Sequence, residues 1–105
     1  MDITSPTPKN YCIINGYGKG YFTINGQKNY NDIIICRQNY IVFSEKNLQD
    51  FIKKYKPELL LIGNIQIQLQ NISIPYEIMS NSAACRTYNL LITEDRNVIA
   101  ILQRH

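Results

Sequence analysis

At 105 residues and 12.2 kDa the chain has the length of one domain, and 45% hydrophobic against 18% charged residues excludes a disordered tail. Five Gly and four Pro exclude collagen-like and low-complexity chains, and no apolar run approaches the roughly 18 residues of a membrane-spanning helix. The net charge of +3 falls short of the clustered basicity of nucleic-acid binders, so composition speaks against that partner.

Residues 1–10, with Ser5, Pro6, Thr7 and Pro8, lack a basic or apolar leader pattern and read as a flexible tail. Residues 11–105 read as a single α/β domain. It opens as a β meander: Tyr11 to Asn15, a break over Gly16-Tyr17-Gly18-Lys19-Gly20, then Tyr21 to Ile24 and Gln27 to Tyr30. Asn25-Gly26 between the last two is a hairpin signal, because a type I′ turn needs positive φ at both positions. Asp32 to Cys36 contains Ile33-Ile34-Ile35, the pattern of a strand buried on both faces, and Tyr40 to Phe43 is a further short strand.

The period then changes. Leu48, Phe51, Ile52 and Tyr55 form one helical stripe, with Ser44 or Asn47 as N-cap and Pro57 as the stop. Lys53, Lys54 and Lys56 at its end read as a solvated cap on the helix dipole. Leu59 to Ile62, ending at Gly63, is a central strand, and the strand–helix–strand alternation favours parallel pairing. Residues 64–75 fit a strand or a helix equally, and both readings stay open. Tyr76 to Met79 is a short strand. Ser80 or Asn81 caps a helix over Ser82 to Glu94, Val98 to Leu102 is the final strand, and Gln103 to His105 is a tail.

Signals for chemistry are sparse. Gly16-x-Gly18-x-Gly20 lacks the dinucleotide spacing and precedes a strand, so it reads as a turn. Lys19-Gly20-Tyr21 begins like an RNA-recognition motif, but Phe22 stands where Gly or Ala is needed, and the eight tyrosines read as half-buried strand residues. His105 is the one histidine, placed too near the chain end to act as an oriented base. Cys12, Cys36 and Cys85 are odd in number and show no C-x-x-C, against a disulfide framework and a structural zinc site. No metal or cofactor is expected, and the compartment reads as reducing and cytoplasmic.

The second helix carries the information. Its spacing turns Ala84, Cys85, Tyr88, Leu91 and Ile92 to the sheet, and Arg86, Asn89 and Thr93 outward with Leu90 beside Arg86. An exposed Arg–Leu pair is the composition of a protein-partner anchor. Cys85 lies in the first turn near Arg86, where the dipole would depress a thiol pKa, although its place on the core side argues for an inert hydrophobe.

Tyr76-Glu77-Ile78-Met79 followed by Ala83-Ala84-Cys85-Arg86-Thr87-Tyr88-Asn89-x-Leu91-x-x-Glu94-x-Arg96-x-Val98 resembles the signature of a small prokaryotic family of unassigned biochemistry. The mitochondrial member of that family is complex I (NADH:ubiquinone oxidoreductase) assembly factor 3. Ile14-x-Gly16-Tyr17-Gly18-x-Gly20-x-Phe22-x-Ile24-x-Gly26 and Leu60-Leu61-Ile62-Gly63 agree with its opening hairpin and central strand. The resemblance implies a three-layer α/β/α domain with a mixed sheet, an N-terminal β meander and strand–helix–strand units. It further implies a non-enzymatic role: binding protein partners during assembly of a membrane-bound respiratory complex, without a cofactor.

Carried over by position, the motif residues are Cys85, Arg86, Thr87, Asn89, Glu94 and Arg96; Arg86, Thr87, Asn89, Leu90, Glu94 and Arg96 compose a candidate ligand or partner patch near the start of the helix. Their plain alternative is scaffolding, with Thr87 and Asn89 bonding backbone and Glu94 pairing with Arg96. Cys85 is the candidate reactive thiol of an enzyme or redox sensor, and the helix start a candidate anion site. Asp95 replaces the family's usual glycine, Cys36 stands near a usual proline, and Phe43 where a tryptophan is frequent. Eighteen Ile and twelve Asn suggest an AT-rich, bacterial genome.

Overall fold

Branched side chains on consecutive positions suit a strand that is covered on both faces, and the centre of this molecule is built that way. The structure is a computed structural model that describes residues 10–63 and 72–104. The tail expected at 1–10 (Asn10 apart), His105 and most of the undecided 64–75 segment lie outside the described residues.

The chain runs β1 (Ile14–Gly18), β2 (Tyr21–Ile24), β3 (Gln27–Asn29), β4 (Ile33–Cys36), β5 (Tyr40–Val42), α1 (Glu45–Tyr55), β6 (Leu59–Gly63), β7 (Tyr76–Met79), α2 (Asn81–Thr93) and β8 (Val98–Leu102). β1, β2 and β3 form an antiparallel meander. The other strands form a five-stranded sheet in the order β5-β4-β8-β6-β7. Among the described residues parallel pairing holds only for β6 with β7 and β8, while β4 runs antiparallel to β5 and β8. The sheet is therefore mixed, as the family resemblance implies and the alternation argument alone does not.

Alternation along the central strands separates two cores. Ile33 and Ile35 of β4, Leu61 of β6 and Val98, Ala100 and Leu102 of β8 face α2 and the meander. Ile34, Cys36, Leu60, Ile62, Ile99 and Ile101 face Leu48 and Phe51 of α1. The layers are thus α1, the five-stranded sheet, and a third layer in which α2 lies with the meander. Tyr88, the largest side chain in the α2 core, is wholly buried and donates its hydroxyl to the Cys12 carbonyl at 2.7 Å.

Local signals explain the element ends. Asn25 and Gly26 have φ of 49° and 86°, as their hairpin requires. Ser44 Oγ accepts from Asn47 N at 3.0 Å, which makes Ser44 the N-cap of α1, while Asn47 reaches back to the Val42 carbonyl. Lys56 closes α1 in the left-handed conformation, φ 49°, ahead of Pro57. β1 is shifted from the expected Tyr11–Asn15: the strand continues through Gly16 and Gly18, and the chain turns at Lys19–Gly20. The Tyr21 ring lies where a Gly18 side chain would stand, so the cross-strand tyrosine replaces the missing packing at that glycine. Gln103 and Arg104 are not a loose tail. Asn81 Nδ2 donates to the Gln103 carbonyl, and Arg104 binds Asp32 Oδ1 and the Tyr30 carbonyl.

Candidate functional site

α2 begins at Asn81, one residue before the sequence expectation, because Ser80 is the N-cap: its Oγ accepts from Ala83 N at 3.2 Å. Ala84, Cys85, Tyr88 and Ile92 are buried as their spacing predicts, and Leu91 packs partly against them. On the opposite side Arg86 is exposed, and Leu90, one turn further on, is 59% exposed. Thr87 between them is half-buried.

Asn89 does not join that outward stripe. Its Oδ1 accepts from Ile14 N at 3.0 Å and its Nδ2 donates to Ile14 O at 2.7 Å, so the side chain meets β1 as a neighbouring strand would. This is the backbone-bonding role given to Asn89 as the scaffold alternative.

Glu94 and Arg96 lie at the far end of α2, about 20 Å of helix from Ser80 at 1.5 Å per residue. The expected Glu94–Arg96 pair is replaced by another. Arg96 Nε donates to Glu58 Oε1 at 2.8 Å and Nη2 to the same oxygen at 2.5 Å, while Glu58 Oε2 takes Asn97 N. The hydrogen bonds from Arg96, then that from Asn97, hold the Glu58 carboxyl below its usual range. The helix thus separates the motif residues into an outward pair, Arg86 and Leu90, a strand tie, Asn89, and a C-terminal clasp.

The clasp accounts for Asp95. This residue has φ 62°, the left-handed conformation that favours glycine, and the Asp95 and Arg96 amides close the helix on the Ile92 and Leu91 carbonyls at 2.9 Å each. Asp95 gains partners that glycine lacks: its Oδ1 accepts from Tyr11 Oη at 2.5 Å and Arg37 Nη1 at 3.1 Å. Arg37 Nη1 also binds the Asp95 carbonyl at 2.9 Å. Tyr11, Arg37 and Glu58 are the site neighbours that pattern reading missed; the one signal pointing to them is the acidic residue at a glycine position.

Cys85 departs from the reactive-thiol reading. It is 2% exposed, and burial pushes its thiol up to about 11 despite the opposing field of Arg86. The desolvation of a buried thiolate outweighs the helix dipole and the nearby guanidinium. Cys12, also buried, is likewise pushed up to about 11. Folded-state pKa values above the ordinary 9.0 mean stability fully present below pH 9 and lost as pH rises toward 11, where the unfolded chain ionises first. Each thiol is expected to cost about 2–3 kcal/mol across that window. A urea-midpoint series from pH 8 to pH 11 measures it, and Cys85→Ala should make the fall shallower while leaving the part due to Cys12. At pH 8 the folded protein should resist thiol labelling that the unfolded chain accepts.

Among the described residues no three His, Cys, Asp or Glu side chains are grouped to hold a metal ion. No described helix is long and apolar enough to cross a membrane.

The mixed five-stranded sheet, with one helix on one face and a meander plus helix on the other, defines a small α/β domain of the kind called Mth938-like. A Bordetella pertussis protein described as an Mth938-like domain superposes with a TM-score of 0.72 at 19% identity, over 98% of this chain and 92% of that one. The chain belongs to the family described as "Protein of unknown function (DUF498/DUF598)", whose pattern matches residues 14–103. It is 31% identical to a "13 kDa major membrane protein" of Francisella tularensis subsp. holarctica (strain LVS), over 82% of this chain and 85% of that protein. A Bartonella henselae structure described as an outer membrane protein is 25% identical, with a TM-score of 0.73 over 90% of this chain and 96% of that one.

Proposed function

We propose that this protein is a non-enzymatic adaptor that holds a protein partner against the outward stripe of α2, with Leu90 as the apolar anchor and Arg86 as the charged one. The observation that carries the reading is Leu90 itself. It is 59% exposed on a helix whose other large apolar residues are buried or packed against the core. Arg86 one turn earlier supplies the charged, hydrogen-bonding half of a common hot-spot pairing. The membrane names of the Francisella and Bartonella relatives, and the resemblance to complex I assembly factor 3, support a partner that belongs to a membrane-bound respiratory complex. The protein then works beside the membrane through contacts with that partner. The motif residues Asn89 and Arg96 serve this surface indirectly, by fixing α2 on β1 and its C-terminal end on Glu58 ahead of β6.

The test is affinity capture from the native host with the full chain, comparing the wild type with Leu90→Asp combined with Arg86→Glu. Subunits of a membrane-bound complex should be recovered with the wild type and fall about thirtyfold with the variant, the ratio for losing a hot spot of about 2 kcal/mol. Both residues are exposed, so the variant's stability should stay within about 0.5 kcal/mol of the wild type. An unchanged set of captured proteins removes this surface.

A further inference from the structure

The outer face of the meander has a composition that the sequence order conceals. Strand alternation turns Phe22 and Ile24 of β2 into the core, so Tyr21 and Thr23 point away from it. Cross-strand register adds Gly16, opposite Thr23, and Gly18, opposite Tyr21, from β1, and Lys28, opposite Thr23, from β3. Tyr30, just past β3, is 58% exposed, and its ring centroid lies 6.0 Å from that of Tyr21. Lys28 Nζ stands 4.6 Å from the Tyr21 centroid. A side chain added at Gly16 would meet nothing within 4 Å, so the space there is open, while the Tyr21 ring covers Gly18.

The charge on this face has one sign. Residues 10–31 contain Lys19 and Lys28 and no Asp or Glu. The next acidic residue, Asp32, is paired with Arg104, whose Nη1 also binds the Tyr30 carbonyl at 2.7 Å. Two adjacent tyrosines, Lys28 held over the Tyr21 ring, Lys19 in the β1–β2 turn and open space above Gly16 make a cationic, aromatic surface. Aromatic stacking with cations spaced for the backbone is how sequence-tolerant single-strand binders work, since every base offers a π-face.

The geometry points to the outer face of β1–β3 as a binding surface for single-stranded nucleic acid, with a base stacked on Tyr30 and adjoining phosphates held by Lys28 and Lys19. This surface is separate from the α2 stripe. The low overall charge that speaks against nucleic acid in the sequence averages over acidic residues located elsewhere. Contact with two phosphates gives a weak, salt-sensitive complex, with a slope of log affinity against log salt of about −1.4.

The full chain is titrated into a labelled oligouridylate, followed by fluorescence anisotropy over a series of salt concentrations. Tyr30→Ala should weaken binding about fivefold or more, the lower end for one stacked base. Lys28→Gln should reduce the salt slope by about 0.7. Leu90→Asp should leave both unchanged. Absence of binding at low salt overturns the proposal, as does binding that Tyr30→Ala leaves intact. Vesicles of anionic phospholipid provide the competing arm: equal or tighter binding to them with the same dependence on Lys28 would assign the face to a membrane surface and overturn the nucleic-acid reading. Both substituted side chains are at the surface, and circular dichroism of each variant verifies the fold.

Discussion

Asn89→Ala is expected to lower stability by about 2–4 kcal/mol, measured as a shift in the urea midpoint. The side chain satisfies both the amide and the carbonyl of Ile14, in a part-buried setting. Removing it strands two backbone groups, each costing about 1–3 kcal/mol when water cannot replace the partner fully. Asn89→Asp separates geometry from chemistry. It keeps an acceptor for Ile14 N but sets a carboxylate against the Ile14 carbonyl, so the loss should match or exceed that of alanine. Hydrogen exchange at Ile14 should quicken in both variants before the global transition moves. A loss under about 0.5 kcal/mol, the scale of an ordinary surface change, would mean that β1 does not depend on this tie.

Tyr88→Ala should be more damaging, at about 3–5 kcal/mol, the range for removing a buried aromatic side chain. Tyr88 is fully buried between α2, the meander and the central sheet, and burial holds its phenol far above its ordinary pKa. Domains of this size are stable by about 5–15 kcal/mol, so the variant should unfold near physiological temperature or fail to accumulate. Tyr88→Phe isolates the hydroxyl. It leaves the ring in place and strands the Cys12 carbonyl, so a cost of about 1–3 kcal/mol is expected. Equal effects of the two substitutions would show that the hydrogen bond, not the packing, fixes the residue.

The elements that could be read from the chain are those in which local and tertiary preferences agree. Ile33-Ile34-Ile35 and the stripe through Leu48, Phe51, Ile52 and Tyr55 have the period of their final environment, and Asn25-Gly26 has chemistry that its positive-φ turn favours. Where one residue type serves two structures, the chain misleads. Gly16 and Gly18 read as a break, yet they lie inside β1 because Tyr21 supplies from across the strand the packing that a glycine lacks. Asn89 reads as an outward polar residue of an amphipathic helix. It turns inward because β1, more than seventy positions away, presents an unpaired edge to it. Arg96 stands two positions from Glu94 but binds Glu58, since beyond the helix the chain reverses through Asp95 and carries Arg96 toward the start of β6. Cys85 carried two opposed arguments at once, and only its burial decides between them. The outer meander face was the least legible, because its membership is set by strand register and not by spacing.

β8 lies between β4 and β6, both of which precede it in the chain. Until Val98–Leu102 arrives, β4 and β6 have no partner between them, and each exposes a strand edge lined with isoleucine and leucine. Closure of the sheet therefore waits for the last strand: the antiparallel β4–β5 pair and the parallel β6–β7 pair can form early, but they become one structure only when β8 enters the middle. Folding of this topology is controlled by a long-range docking step, and a nascent chain halted before Val98 would be a species that aggregates or requires a chaperone.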